Sequence, residues 1–222
     1  MVKDIYFTIN VPNTLTIFLY LSKQLCYPKM IEEIKHLEKL DFTKQLSFAY
    51  LTCERLLPNY IYFSLHFKFG NPQILKDAII FIHQSLINNS YQKETIITHL
   101  NAIDKNTPYP EKFDTILASS ALDSCSVVSE SLNFLMDKKI DRIKDISTLA
   151  IDTIDMYIQE RDNLDFNTDK QFEEKIQQDP LMQREIYIQK GIISFLNKID
   201  IINEADIDTL VQMQVLNSSL DL

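Results

Sequence analysis

Apolar residues recur at steps of three and four along most of this chain, the spacing that gathers side chains on one face of a helix. The clearest stripe lies between Ala118 and Met136, on Ala118, Ala121, Leu122, Cys125, Val128, Leu132, Leu135 and Met136. Ala, Ser and Cys fill its first half, and small residues let neighbouring helices approach closely. The stretch 118–136 is therefore expected to be a central helix. Upstream, Ile31, Ile34, Leu37 and Leu40 predict a short amphipathic helix beginning at Met30. Asp41 is placed to cap the next helix, which carries Leu46, Ala49, Tyr50, Cys53, Leu56 and Leu57 on one side. That helix is expected to break or kink near Pro58, because proline disfavours the helical conformation at the residue before it. Residues 59–69 then read as a separate aromatic-rich helix or packed turn, closed by Gly70-Asn71-Pro72.

Further helices are expected from Pro72 to about Ile87 and over 91–103. Residues 104–114, with two prolines among polar residues, read as a loop. Beyond the central helix the pattern predicts helices from Asp141 to Glu160 and, after a polar connector at 161–169, a short one ending near Gln178. Asp179-Pro180 has the form of an N-cap followed by a first-turn proline, opening a helix over 180–198. A last helix over 203–216, capped by Asn203, precedes a tail expected to fray. No repeat of 30–45 residues is evident, so a solenoid is not supported.

Composition sharpens this picture at one point. The 222 residues contain only 2 glycines, where average usage predicts about 15. Hairpins, bulges and phosphate-cradling loops need residues that accept positive φ, so an all-β fold is excluded. The expectation is an all-α, compact single-domain bundle of about eight to ten helices, spanning 30–216, with residues 1–29 as an N-terminal appendage. Those first residues start β-prone, turn at Pro12-Asn13, and include an apolar run from Leu15 to Leu21. The run is shorter than the roughly 20 residues that cross a bilayer. It also lacks the basic start and small-residue cleavage site of a secretory signal. An edge element, a flexible tail, or an upstream start with Met30 as the natural one all fit it.

The net charge of −9 argues against nucleic acid as a partner and suits either a basic protein partner or simple solubility. Three widely separated cysteines, Cys26, Cys53 and Cys125, make no disulfide framework and suggest reduced thiols in the cytoplasm.

Several chemistries find no support. His36, His66, His83 and His99 show no pair at i,i+3 or i,i+4 spacing, and HExxH and CxxC are absent. Glu33-Ile34-Lys35-His36 matches one half of a di-iron pattern, without a second copy. No metal or cofactor is expected. The glycine-rich nucleotide motifs and the GxSxG nucleophile elbow are also missing. Cys53 and Cys125 fall on apolar stripes and read as inert core residues rather than nucleophiles.

The strongest local feature is Cys53-Glu54-Arg55-Leu56-Leu57-Pro58-Asn59-Tyr60. One reading is a fastening between helices, with Arg55 and Asn59 satisfying the last carbonyls of a helix that ends at proline. The other is a polar pocket built from Glu54, Arg55, Asn59, Tyr60 and Asp123. A buried aspartate needs a partner, and Arg55 is the partner expected for Asp123. The aromatic run of Tyr60, Tyr62, Phe63, Phe67 and Phe69 reads as core rather than as a ligand box.

Three stretches taken together, CERLLPNY (53–60), ALDSCSVVSESLNFLMD (121–137) and DPLMQREIYIQKGIISFL (179–196), resemble the bacterial family known as domain of unknown function 416. The resemblance covers about residues 30–196 and leaves the leader and the tail after about 200 outside it. Ser124-Cys125 stands where the family pattern suggests Ala-Cys. The resemblance implies a compact, all-helical cytoplasmic domain and no particular activity.

The function expected on these grounds is that of a non-enzymatic, acidic, helical protein-interaction module without nucleic-acid or membrane partners. One version of it is an immunity-type inhibitor of a basic protein. The alternative is a small-ligand binder or enzyme with a polar site near Arg55 and Asp123. The chain is expected to be a monomer, or a homodimer joined through the aromatic stretch 60–69.

Overall fold

The computed structural model describes residues 35–214 and 219–222, and the side chains of all of these except 213 and 214. All regular structure among the described residues is helical. Among the described residues α-helices run in the order α1 (Phe42–Phe67), α2 (Pro72–Asn88), α3 (Lys93–Asn106), α4 (Leu117–Asp137), α5 (Ile140–Arg161), α6 (Phe172–Gln178), α7 (Pro180–Lys198) and α8 (Glu204–Gln214). A 3-10 turn, Pro110–Lys112, stands in the expected loop before α4. The chain forms an all-α single domain. The expected appendage, residues 1–29, lies outside the described residues, as do residues 30–34 of the first expected helix. Leu37 and Leu40 from that helix are buried, and Gln45 Nε2 donates to the Leu37 carbonyl at 3.0 Å.

Local chemistry sets the helix ends. Asp41 accepts from the Lys44 amide at 3.0 Å and so caps α1. Asn71 accepts from Gln73 at 3.0 Å ahead of Pro72, and Asp179 from Leu181 at 2.9 Å ahead of Pro180. At α8, Asn203 and Asp206 satisfy each other's amides reciprocally, at 3.1 and 3.0 Å. With few glycines available, Lys68, Asn89 and Lys138 take the left-handed conformation that closes α1, α2 and α4.

Pro58 does not end α1. The helix carries it in its interior and continues to Phe67, so the expected separate element at 59–69 is the second half of α1. Proline removes one backbone bond and costs about 3 kcal/mol in a helix interior. Leu56, Leu57, Tyr60 and Phe63 flank it in the core, and burying an apolar side chain contributes roughly 1.5–3 kcal/mol each. Packing outweighs the local cost.

The centre of the bundle is a pair rather than a single rod. Helix α4 packs on α1, α5, α3 and α2, while α1 also meets α2, α5, α7 and α8. Along α4, Ala118, Ala121, Ser124, Cys125 and Ser131 are buried, which lets α1 approach closely. Ser124 Oγ lies 2.8 Å from the Leu56 carbonyl, and Cys53 Sγ lies 3.2 Å from Ser131 Oγ. The main core fills the space among α1 to α5 and reaches α7 and α8. A second apolar cluster joins Ile151, Ile154 and Ile158 of α5 to Phe172, Ile176 and Met182, and Leu220 enters it. The expected fraying tail is thus anchored at its far end: Ser219 and Leu220 are buried. No helix among the described residues is long and apolar enough to cross a membrane.

Candidate functional site

The five polar residues singled out from the sequence do not meet in one cavity. Each is engaged by a partner of its own. Arg55, on the buried face of α1, donates from Nη2 to Glu185 Oε1 of α7 at 2.7 Å. Both side chains are almost wholly buried, at 1% and 2% exposure. Glu185 also accepts from Gln189 Nε2 at 2.7 Å, and Ser147 Oγ of α5 donates to Gln189 Oε1 at 2.7 Å. The result is a buried polar network that ties α1, α7 and α5. A lone buried charge is costly, whereas a paired and hydrogen-bonded one is tolerated.

The expected Arg55–Asp123 pair is not formed. Asp123, on α4, faces α5 instead and accepts from Thr153 Oγ1 at 2.8 Å. It keeps a little surface exposure, but its surroundings strip water from the carboxyl. That desolvation, with a smaller contribution from nearby Asp152 and against the Thr153 hydrogen bond, pushes its pKa up to about 7. Asp123 is thus a carboxyl that holds a proton near neutrality.

Glu54 turns away from Arg55. It accepts a hydrogen bond from Tyr50, one turn back on α1, and lies near His83 of α2, whose ring sits 4.9 Å from that of Tyr50. Burial raises the Glu54 carboxyl above its usual range, and burial then the Glu54 charge raise the Tyr50 hydroxyl. Asn59 does not cap a helix end, since α1 continues past it. Its Nδ2 donates to Ser219 Oγ at 2.7 Å. Tyr60 is fully buried and donates to the Asn106 carbonyl at the end of α3, at 2.7 Å. Gly70, at φ 69°, lies against that hydroxyl, and a Cβ on it would collide with Tyr60 Oη.

The aromatic run divides. Tyr60 and Phe63 are fully buried, Tyr62 stacks on His66, and Phe63, Phe67 and Phe69 gather edge-on around Phe113. Phe67 and Leu65 at the end of α1 are exposed. Cys53 and Cys125 are free and buried, and burial pushes both thiols up to about 12. Among the described residues no three His, Cys, Asp or Glu side chains stand close enough to hold a metal ion. An open recess of about 200 Å³ lies at the start of α1, lined by Asp41, Thr43, Lys44, Asp200, Ile201 and Ile202, away from all five candidates.

Sequence reasoning missed the partners: Glu185, Gln189, Ser147, Thr153 and Ser219. Two of them carried a signal. Met182, Glu185, Gln189, Ile192 and Leu196 follow one another at steps of three and four, which places Glu185 and Gln189 on the buried face of α7. A carboxylate on such a face announces a buried cation.

The architecture is that of an all-helical single domain whose central polar side chains join helix to helix. A family model described as "Protein of unknown function (DUF416)" matches residues 32–218, and the chain belongs to that family. The match passes well beyond residue 196, so it takes in α8 and part of the tail that the three stretches left outside. Within the fold those stretches touch: Arg55–Glu185 joins the first to the third, and Ser124 reaches Leu56 of the first from the second. The chain is 24% identical over 175 residues to the uncharacterized protein YjaG of Escherichia coli strain K12, covering 78% of this chain and 85% of that one. It is 26% identical over 121 residues to YjaG of Salmonella typhimurium, covering 54% and 61%. A crystal structure of a DUF416 family protein from Shewanella baltica OS155 superposes with a TM-score of 0.77 at 26% identity, covering 84% of this chain and 96% of that one.

Proposed function

We propose that this protein is a cytoplasmic, non-enzymatic interaction module that binds a basic protein partner through its acidic outer surface. The observation that carries the reading is the separate engagement of Glu54, Arg55, Asn59, Tyr60 and Asp123, each by its own internal partner. Side chains committed in this way serve the scaffold, and catalysis needs groups that converge on a reacting atom. The excess of 31 acidic over 22 basic residues then falls to the surface, where it favours and steers a cationic partner. Exposed apolar side chains stand within acidic stretches: Phe166 among Asp162, Asp165 and Asp169, and Ile201 beside Asp200 and Glu204. An apolar anchor rimmed by charge is the usual make-up of a protein interface. An immunity-type inhibitor of a basic toxin is the narrower version of the same reading.

The test is affinity purification of the tagged full chain from its own host at low ionic strength. The expected result is a stoichiometric basic protein that is released as salt is raised. A chain that emerges alone, or with a partner indifferent to salt, contradicts the proposal.

A further inference from the structure

The segment Ser219–Leu222 lies on the body of the protein as a peptide lies in a groove. Leu220 inserts into the second apolar cluster, among Ile151, Ile154, Phe172, Ile176 and Met182, and is 2% exposed. Polar groups fix the residues on either side. Asn59 Nδ2 donates to Ser219 Oγ at 2.7 Å. Arg184 Nη2 donates to the Ser219 carbonyl at 3.1 Å, and its Nη1 reaches both carboxylate oxygens of Asp221 at 2.8 Å. Three consecutive residues are therefore read by three different chemistries: a hydroxyl by a buried amide, an aliphatic chain by an apolar socket, and a carboxylate by a guanidinium. Alternating pockets and backbone contacts of this kind are how proteins recognise linear peptides.

We propose that this groove is a recognition site for an acidic Ser-Leu-Asp segment of a partner protein, and that Ser219–Leu222 occupies it as a tethered competitor. The walls of the socket come from α5, α6 and α7, elements separate from its occupant. The clamp is on the rim, with Asp221 48% and Arg184 25% exposed, and an ion pair in that setting contributes little by itself. Tethering supplies a high effective concentration in its place. The occupant is also an imperfect one. Asn59 Oδ1, on the same amide that holds Ser219, is buried and has no hydrogen-bond partner. A segment that offers a donor to this oxygen binds better than the chain's own. Arg184 favours a negatively charged group at this position, so the segment recognised here belongs to a different partner from the basic one proposed above.

The test uses a fluorescent peptide, Asn-Ser-Ser-Leu-Asp-Leu, and fluorescence polarisation against the full chain and its variants. Leu220→Asp sets a carboxylate against the apolar socket, ejects the segment and frees the groove. Asp221→Lys disturbs the rim alone and leaves Leu220 seated. The expected result is saturable peptide binding to L220D, at least about tenfold tighter than to the parent chain or to D221K. Binding should be lost when Arg184→Glu is added, or when the peptide carries Leu220→Asp. An L220D chain with unchanged circular dichroism that binds no peptide, that binds it no better than the parent, or that binds both peptides alike overturns the proposal.

Discussion

Asp123 shows how one residue's surroundings set its chemistry. An unfolded aspartate ionises at about 3.9, while in the fold desolvation moves this one up to about 7. Between those values the folded state holds a proton that the unfolded state has released, so stability falls as pH rises through the window. Asp123→Asn removes the titration and keeps an acceptor for Thr153. Urea denaturation at pH 5 and pH 8 should show the variant gaining at least about 1 kcal/mol on the parent between the two. Parallel profiles would show that Asp123 is ionised in the fold throughout. The thiols make a second case at this scale. Cys53 and Cys125 are buried and protonated at neutral pH. In a Cys26→Ser chain, a thiol reagent at pH 8 should therefore label nothing until denaturant is added. Rapid labelling of the native chain would contradict their burial. The inertness of both cysteines could be read from the sequence, because each sits on an apolar stripe. The partner of Asp123 could not, because pattern fixes the face of a helix and leaves open which neighbour it meets.

Elements were the most legible scale, and the reasons are local. Helix α4 is expected at 118–136 and found at Leu117–Asp137, and Asp41, Asp179 and Asn203 cap the helices they were assigned to. Each of these depends on neighbours within a few residues. The two misread elements depend on distant ones. Pro58 looks like a stop because its cost is local, whereas the burial of Tyr60 and Phe63 that carries α1 past it comes from other helices. The tail looks unstructured because its anchors, Asn59 and Arg184, lie 160 and 35 residues away from Ser219. Gly70 belongs to this scale too. It links α1 to α2 at positive φ, directly beneath the Tyr60 hydroxyl that holds the end of α3. Gly70→Ala meets both a backbone penalty and a collision, and should cost at least about 2 kcal/mol, read as a fall of several degrees in melting temperature. A variant that melts with the parent would mean that the α1–α3 junction yields freely.

At the scale of the whole molecule, the scarcity of glycine was sufficient to indicate an all-α fold. The five polar candidates are engaged separately, because pattern leaves open which helix each side chain meets. The pattern offers Arg55 either as the partner of a buried Asp123 on α4 or as a donor to the last carbonyls of a helix, and the structure pairs it with Glu185 on α7. On the reading proposed above, Arg55 and Glu185 hold the fold together and do not serve a ligand. A double-mutant cycle on Arg55 and Glu185, followed by urea denaturation, tests it most directly. Arg55→Met alone should cost about 3–5 kcal/mol, because it leaves the Glu185 carboxylate buried without its cation, and Arg55→Met with Glu185→Leu should recover most of that loss. A single variant as stable as the parent would mean that the fold does not need Arg55, and the claim would fail.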